Sequence, residues 1–377
     1  MAPSVEATAR GRLGQQHVSD LALYLPEDRD GVLPITYFHA MARLGVDGLV
    51  LVEPREWFVS VGYFDDTEAA VDLDACRAKQ LPVVRREIGG GPVLLGPGQV
   101  FYHVVLPRSH RALPALLDDV YRHLSVPVIE TYRRLGVEVA FRPVNDLVTA
   151  DGRKITGQGA ADIGDRFCFV GAVLRHFDSA LMASVLRVPD EKLRYQLRRT
   201  LDDNMSSVVR ATGHEPPTST VVGALADAFA SVLGRLRPTP VPPEVRRLAG
   251  ELAAELQSPE RLLAPRARRH TTVKIREGVS VRHGVHKALG GLVRATVTVR
   301  DGHIAQVDLA GDFTFLPKAS FGALAGALVG LRFDAAVVAQ VVTEFFRHHH
   351  VECPGVAPAD FAAAVTGAPA DDRHTGT

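Results

Sequence analysis

The sequence predicts an α/β (α+β) protein built as two units. Segments rich in β-branched and aromatic residues alternate with segments of helical periodicity up to about residue 260. The same alternation restarts after the basic stretch "PRARRH" (265–270). Apolar residues make up 46% of the 377, enough to fill more than one core.

In chain order, "PITYFHAMARL" (34–44) carries apolar residues at helical spacing, and Gly45 would end that helix. "GLVLVEP" (48–54) and "EWFVSVGYF" (56–64) read as strands. "EAAVDLDACRAKQL" (68–81) reads as one short helix, followed by the strand "PVVRRE", a run of three glycines, and the strand "QVFYHVVLP" (99–107). Residues 112–136 hold one long helix or two shorter ones, with Pro127 interrupting the pattern. Strands and turns follow, including an Asp-Gly hairpin signal at "ADG". Residues 178–210 look mostly helical, with Pro189 opening a new helix. Two proline-rich breaks (213–220 and 235–244) bracket a helix at 221–234, and a further helix spans 244–256. Beyond the linker come strands "HTTVKIREG", "GLVRATVTVRDG" and "HIAQVDLAGDF", then helices "KASFGALAGALVGL" and "DAAVVAQVVTEFFRHHH". This second unit, of about 100 residues, can form its own core. Residues 1–17 and 366–377 are small and polar and are expected to be disordered.

Bulk properties exclude several classes. Lys+Arg and Asp+Glu both number 43, so no global charge argues for nucleic acid or a membrane surface, and neither partner is expected. Three scattered cysteines without a CxxC pair argue against a disulfide framework and a zinc site. The N-terminus lacks a signal-peptide core, and no 18-residue segment is apolar throughout. A cytoplasmic protein is the expectation.

Individual motifs leave alternatives open. "RREIGGGPVL" (85–94) could be a phosphate loop or a plain turn or bulge. Its glycines do not match GxGxxG, and a strand rather than a helix follows. His348, His349 and His350 are neighbours on a helix, point about 100° apart, and so do not converge on one metal ion. Cys168, between two phenylalanines, reads as packing rather than as a catalytic thiol. "VNDLVTADGRKITGQGA" (144–160) sets an amide, a carboxylate and a lysine beside glycines. That lysine is one of only six in an arginine-rich chain. The stretch reads either as a solvated hairpin or as a site for developing negative charge.

Taken together and in order, "VVRREIGGGPVLLGPGQVFYHVVLP", "NDLVTADGRKITGQGA" and "GAVLRHFDSALM" resemble the lipoate–protein ligases over residues 18–210. The unit from 271 to 365 resembles the accessory C-terminal domain of some members. The resemblance implies a catalytic domain over 18–264 with the mixed sheets and flanking helices shared with biotin ligases. It implies Mg·ATP-dependent activation of lipoate as acyl-AMP, then transfer to a lysine of a lipoyl carrier domain of the 2-oxoacid dehydrogenase E2 or glycine cleavage H protein type. On that basis Lys154 is the catalytic residue. Asn145 and Asp146 lie by the phosphates, with Asp146 toward Mg2+. Arg85 holds the adenylate, Gly89, Gly90 and Gly91 line the acyl tunnel, and Gly157 and Gly159 admit the nucleotide. Gly171, within Phe169–Val173, stands where the family has H-G-T-L and is a further binding residue. Gly157-Gln158-Gly159 in place of G-S-A, and Pro92 behind the glycines, depart from the family pattern. Two alternatives stand beside this reading. One is an octanoyltransferase of the same fold, which would need a cysteine that "GVEVAFRPVNDL" lacks. The other is a non-catalytic homologue that binds an acyl adenylate or the carrier.

Overall fold

The computed structural model describes residues 20–188, 191–263, 273–276 and 279–367. The expectations for residues 1–17, Pro189, the 265–270 linker and the tail beyond 367 fall outside them. Among the described residues the strands are β1 (Leu21–Tyr24), β2 (Gly48–Val52), β3 (Phe58–Val61), β4 (Val83–Arg85), β5 (Val93–Leu95), β6 (Gln99–Pro107), β7 (Val139–Arg142), β8 (Asp146–Thr149), β9 (Lys154–Ile163), β10 (Arg166–Leu174), β11 (Leu236–Pro238), β12 (Val273–Arg276), β13 (Val279–Ala288), β14 (Gly291–Arg300) and β15 (His303–Gly311).

Eight strands form the main sheet in the order β11-β1-β2-β6-β10-β9-β8-β7. The first three run parallel and every later pair is antiparallel, which makes the sheet mixed. Successive side chains on a strand face opposite sides, and the core divides accordingly. Leu49, Leu51, Tyr102 and Val104 pack under helices Leu117–Arg134 and Thr218–Leu233. Val50, Val52, Phe101 and Val105 pack under helices Leu33–Leu44 and Pro243–Glu255. A small sheet, β4-β3-β5, carries the glycine run between β4 and β5.

Several elements differ from the sequence expectation. Leu117–Arg134 is one helix despite Pro127, whose carbonyl accepts from Thr131 Oγ1 at 2.8 Å. Residues 68–81 form two short helices, Thr67–Ala70 and Leu73–Ala78, because Asp66 and Asp72 each cap a new N-terminus. β11 lies within the proline-rich break, where an edge strand tolerates proline. β13 and the last helix, Pro358–Thr366, are not among the expected elements, and that helix extends the second unit one residue past 365. Gly284 on β13 lets the helix lie close, since a Cβ there would sit 1.8 Å from the Ala364 carbonyl.

The C-terminal unit is the antiparallel sheet β12-β13-β14-β15 with helices Ser320–Leu328, Ala335–His348 and Pro358–Thr366 around Val293, Val297, Leu324, Val342 and Phe361. It docks on the end of "VSVGYF". Phe64 is buried in the C-terminal core and stacks on Phe313 at 5.6 Å. Beside it, buried Asp65 accepts from Arg294 at 2.6 Å. No helix among the described residues is long and apolar enough to cross a membrane.

Candidate active site

A cavity of about 480 Å³ opens between the two units. Its polar end is built by the β8–β9 hairpin. Gly152, at φ +82°, allows the tight turn, and Thr149 and Arg153 close it with a backbone hydrogen bond of 2.9 Å. The turn sets Lys154 at the head of β9 and Asp146 at the head of β8. Lys154 Nζ lies 2.7 Å from Asp146 Oδ1, and Arg142 donates to Asp146 Oδ2 at 3.2 Å. Gly157 leaves room for this pair, since a Cβ there would be 2.9 Å from Lys154 Nζ. Asn145 braces the hairpin: its Nδ2 donates to the Gln158 carbonyl, and its own carbonyl accepts from Gln158 N at 2.9 Å.

The other end is apolar. Ile35, Phe38, Ile88, Phe101, Leu174 and Met205 are among its lining side chains. Gly159 sits under Ile88, whose Cγ2 would be 2.7 Å from an added Cβ. Gly171 lines the cavity with its backbone, and its missing side chain seats Tyr102 on the opposite face, where a Cβ would be 2.2 Å from the hydroxyl. Gln158 Nε2 donates to Tyr102 Oη at 3.3 Å, and Ser125 Oγ donates to Gln158 Oε1 at 2.7 Å. These bonds give a structural reason for the glutamine that departs from G-S-A.

The glycine run forms a third wall. Arg86 holds it by donating to the carbonyls of Gly89 (2.8 Å) and Gly91 (2.9 Å). Gly90 N donates to the Phe313 carbonyl at 3.1 Å, and a Cβ at Gly89 would be only 2.0 Å from the same oxygen. Gly89, Gly90 and Gly91 all line the cavity, but the nearest obstacle to a side chain at Gly89 is the C-terminal unit rather than the cavity itself. Glu87 anchors the stretch from behind, its Oε1 accepting from Arg43 (3.2 Å) and Arg261 (3.0 Å) with Lys318 Nζ at 3.7 Å. Burial opposes its charge, but the groups facing it, His39 when protonated and then Lys318, Arg43 and Arg261, hold its carboxyl at about 2. His39 is itself kept neutral by burial, which lowers it to about 4. Its Nε2 accepts from Glu87 N at 3.0 Å.

The structure brings together Lys154, Asn145, Asp146, Gly89, Gly90, Gly91, Gly157, Gly159 and Gly171. Arg85 is the correction: its side chain does not line the cavity. It is 1% exposed and donates to the carbonyls of Gly62, Asp65, Arg261 and Leu262 and to Thr67 Oγ1, which leaves it turned into the protein. The cavity-facing arginine is Arg86. Gln99 and His103 on β6 also line the cavity, and in the sequence they show only as polar residues in an apolar run. The C-terminal wall of Lys287, Leu289–Gly291, Asp312 and Thr314 completes the lining and has no local sequence pattern pointing to it. Lysine scarcity was the signal that could have found Lys287.

None of the three thiols lines the cavity. Cys76 packs in a separate core under β3, where burial raises its thiol to about 11. Cys168 is fully buried, and burial raises it further. Cys353 precedes cavity-lining Pro354, and burial holds its thiol well above the ordinary range. His348–His350 close a helix, and no group of three His, Cys, Asp or Glu side chains among the described residues could hold a metal ion.

Comparison with known proteins agrees with this architecture. Residues 37–230 match the family model of the lipoyl protein ligase A/B catalytic domain. The octanoyltransferase LipM of Kyrpidia tusciae is 29% identical over 224 residues, covering 54% of this chain and 81% of that protein. A bi-partite lipoate protein ligase from Thermoplasma acidophilum, solved with its E2 lipoyl domain, shares the fold with a TM-score of 0.58 and 24% identity, over 67% of this chain and 99% of that one. Lipoate-bound LipL1 of P. falciparum shares it with a TM-score of 0.61 and 13% identity, over 88% of this chain and 95% of that one. With the family model matching more than half of its length, the chain belongs to the lipoyl protein ligase A/B catalytic-domain family.

Proposed function

We propose that this chain activates a medium-chain carboxylic acid, lipoate or a close relative, as its acyl-AMP and transfers the acyl group to a lysine of a lipoyl carrier domain. The observation that carries the reading is the pairing of the Lys154 ammonium with Asp146 at the mouth of an apolar arm whose walls hold no thiol. In the first step a carboxylate oxygen attacks the α-phosphorus of ATP, and the bond to the β-phosphate breaks to release pyrophosphate. In the second the carrier amine attacks the acyl carbon, AMP leaves, and the amine loses a proton. Negative charge builds on the α-phosphate oxygens in the first step and on the acyl carbonyl oxygen and the departing AMP in the second, and Lys154 is the group we assign to neutralise it in both. The glycine loop and Phe38, Phe101 and Ile88 hold the chain away from water.

Mg2+ would offset the phosphate charge, and the residues fit it as a nucleotide-borne ion. Two carboxylates line the cavity, Asp146 at the polar end and Asp312 in the C-terminal wall, where Asp312 Oδ1 already accepts from Leu292 N; so small a set of free carboxylate oxygens suits a cation held mainly by phosphates and water. Asp146 would exchange its contacts with Lys154 and Arg142 for that role.

A second reading is favoured by the name of the Kyrpidia relative: transfer of octanoate from a thioester donor without ATP. A route through an enzyme thioester needs a thiol on the wall, and Cys76, Cys168 and Cys353 lie elsewhere. One experiment separates the two. An apo lipoyl domain is incubated with lipoate or octanoate plus Mg·ATP, or with an octanoyl thioester of acyl carrier protein alone. Pyrophosphate release and acyl mass on the domain are then measured. Acylation only from the thioester sinks the ligase reading. Binding of acid and nucleotide without acylation in either arm makes the chain a non-catalytic homologue.

A further inference from the structure

The apolar arm contains one side chain that does not fit an alkyl tail. His103 is 3% exposed and lines the cavity from the centre of β6. Its Nδ1 is buried without a partner, and the ring makes no hydrogen bond with any described residue. Its neighbours are aromatic, with Phe38 at 4.9 Å and Phe101 at 5.7 Å between ring centroids. Burial, then the nearby His39, lowers it to about 3, so it stays a neutral imidazole with one N–H donor and one acceptor. Nδ1 is closed off from the cavity, but Nε2, which also has no hydrogen-bond partner among the described residues, is not sealed and is the nitrogen a ligand can meet.

The register places this ring relative to Lys154. His103 pairs with Val170, and Val170 pairs with Gly159, so His103 lies two strands from Gly159. Gly157, which borders the Lys154 ammonium, lies two residues along β9 on the same face. Strand spacing and rise then put His103 roughly 12 Å from the reacting end. An extended eight-carbon acid comes close to that reach.

We propose that His103 reads the far end of the acyl chain and selects a medium-chain acid with a hydrogen-bonding atom near its terminus over a plain alkyl acid. The proposal rests on the acyl-pocket reading above and deepens it. A hydroxyl at the chain end would pair with Nε2, whereas a methyl group would leave that nitrogen without a partner. A site built to pair a polar group discriminates strongly against an analogue lacking it.

The test is calorimetric binding of octanoate and 8-hydroxyoctanoate to the full chain. The wild type should bind the hydroxy acid about tenfold more tightly. His103→Leu should lose that preference and bind octanoate at least as well. His103→Gln, which keeps a donor and an acceptor, should retain part of it. Equal binding of the two acids by the wild type, or a preference for octanoate, overturns the proposal and leaves the acyl pocket standing. Binding of neither acid overturns both.

Discussion

Two glycines in the wall of the same cavity are crowded for different reasons. At Gly157 the obstacle is the Lys154 ammonium, the far end of a flexible side chain. At Gly89 it is the Phe313 carbonyl, a backbone atom of the other unit. The hairpin glycine therefore makes space for chemistry, and the loop glycine makes space for docking. Activity and stability should separate along this line, since a side chain yields more easily than a main chain in a packed interior.

The largest effect is expected on the hairpin side. Lys154→Ala should cut acyl transfer at least about 100-fold. Lys154→Arg should be similarly poor, because a planar fork does not replace a compact ammonium. The unfolding midpoint of either variant should move by no more than about 2 °C, as the side chain is only partly covered. Near-normal turnover would remove Lys154 from the mechanism.

Next comes the loop's anchor. Glu87 has its carboxyl held near 2 rather than at 4.5, so its charge stabilises the fold above pH 4.5, and that contribution fades as pH falls toward 2. Glu87→Gln should cost about 1–2 kcal/mol at pH 6, where His39 is neutral and only Lys318, Arg43 and Arg261 face the carboxylate. The gap to wild type, followed by urea unfolding at pH 6, 4.5 and 3, should close as the pH drops. A gap that stays constant would mean the charge is not the anchor.

The glycine substitutions test the comparison itself. Gly89→Ala should lower stability by about 1–3 kcal/mol and expose the C-terminal unit to limited proteolysis. Gly157→Ala should leave the melting point close to wild type and slow transfer by about tenfold as Lys154 is displaced. Matching losses of stability in the two variants would erase the distinction.

The hairpin was legible in the sequence because its information is local. An Asp-Gly turn, a rare lysine and a carboxylate lie within ten residues, and the turn alone brings them together. The loop was only half legible. "RR" offers two arginines, but successive strand residues face opposite ways, and nothing local says which one meets the cavity. Arg85 turns inward because carbonyls of Arg261 and Leu262, far along the chain, wait for it. The C-terminal wall and the Phe313 contact are long-range as well. β11 and β13 were hidden by proline and glycine, which an edge strand and a close helix contact tolerate here. Both elements became visible only once the partners that excuse those residues were in place.

The seclusion of two of the three thiols has a practical use. Cys76 and Cys168 are buried and held protonated, while Cys353 is only half-buried. With Cys353 replaced by serine, a cysteine engineered onto each unit's exposed surface would therefore be the preferred target of maleimide dyes, with Cys76 and Cys168 left in place. Fluorescence energy transfer between such a pair would report, in solution and during turnover, whether the wall contributed by the C-terminal unit stays closed on the cavity.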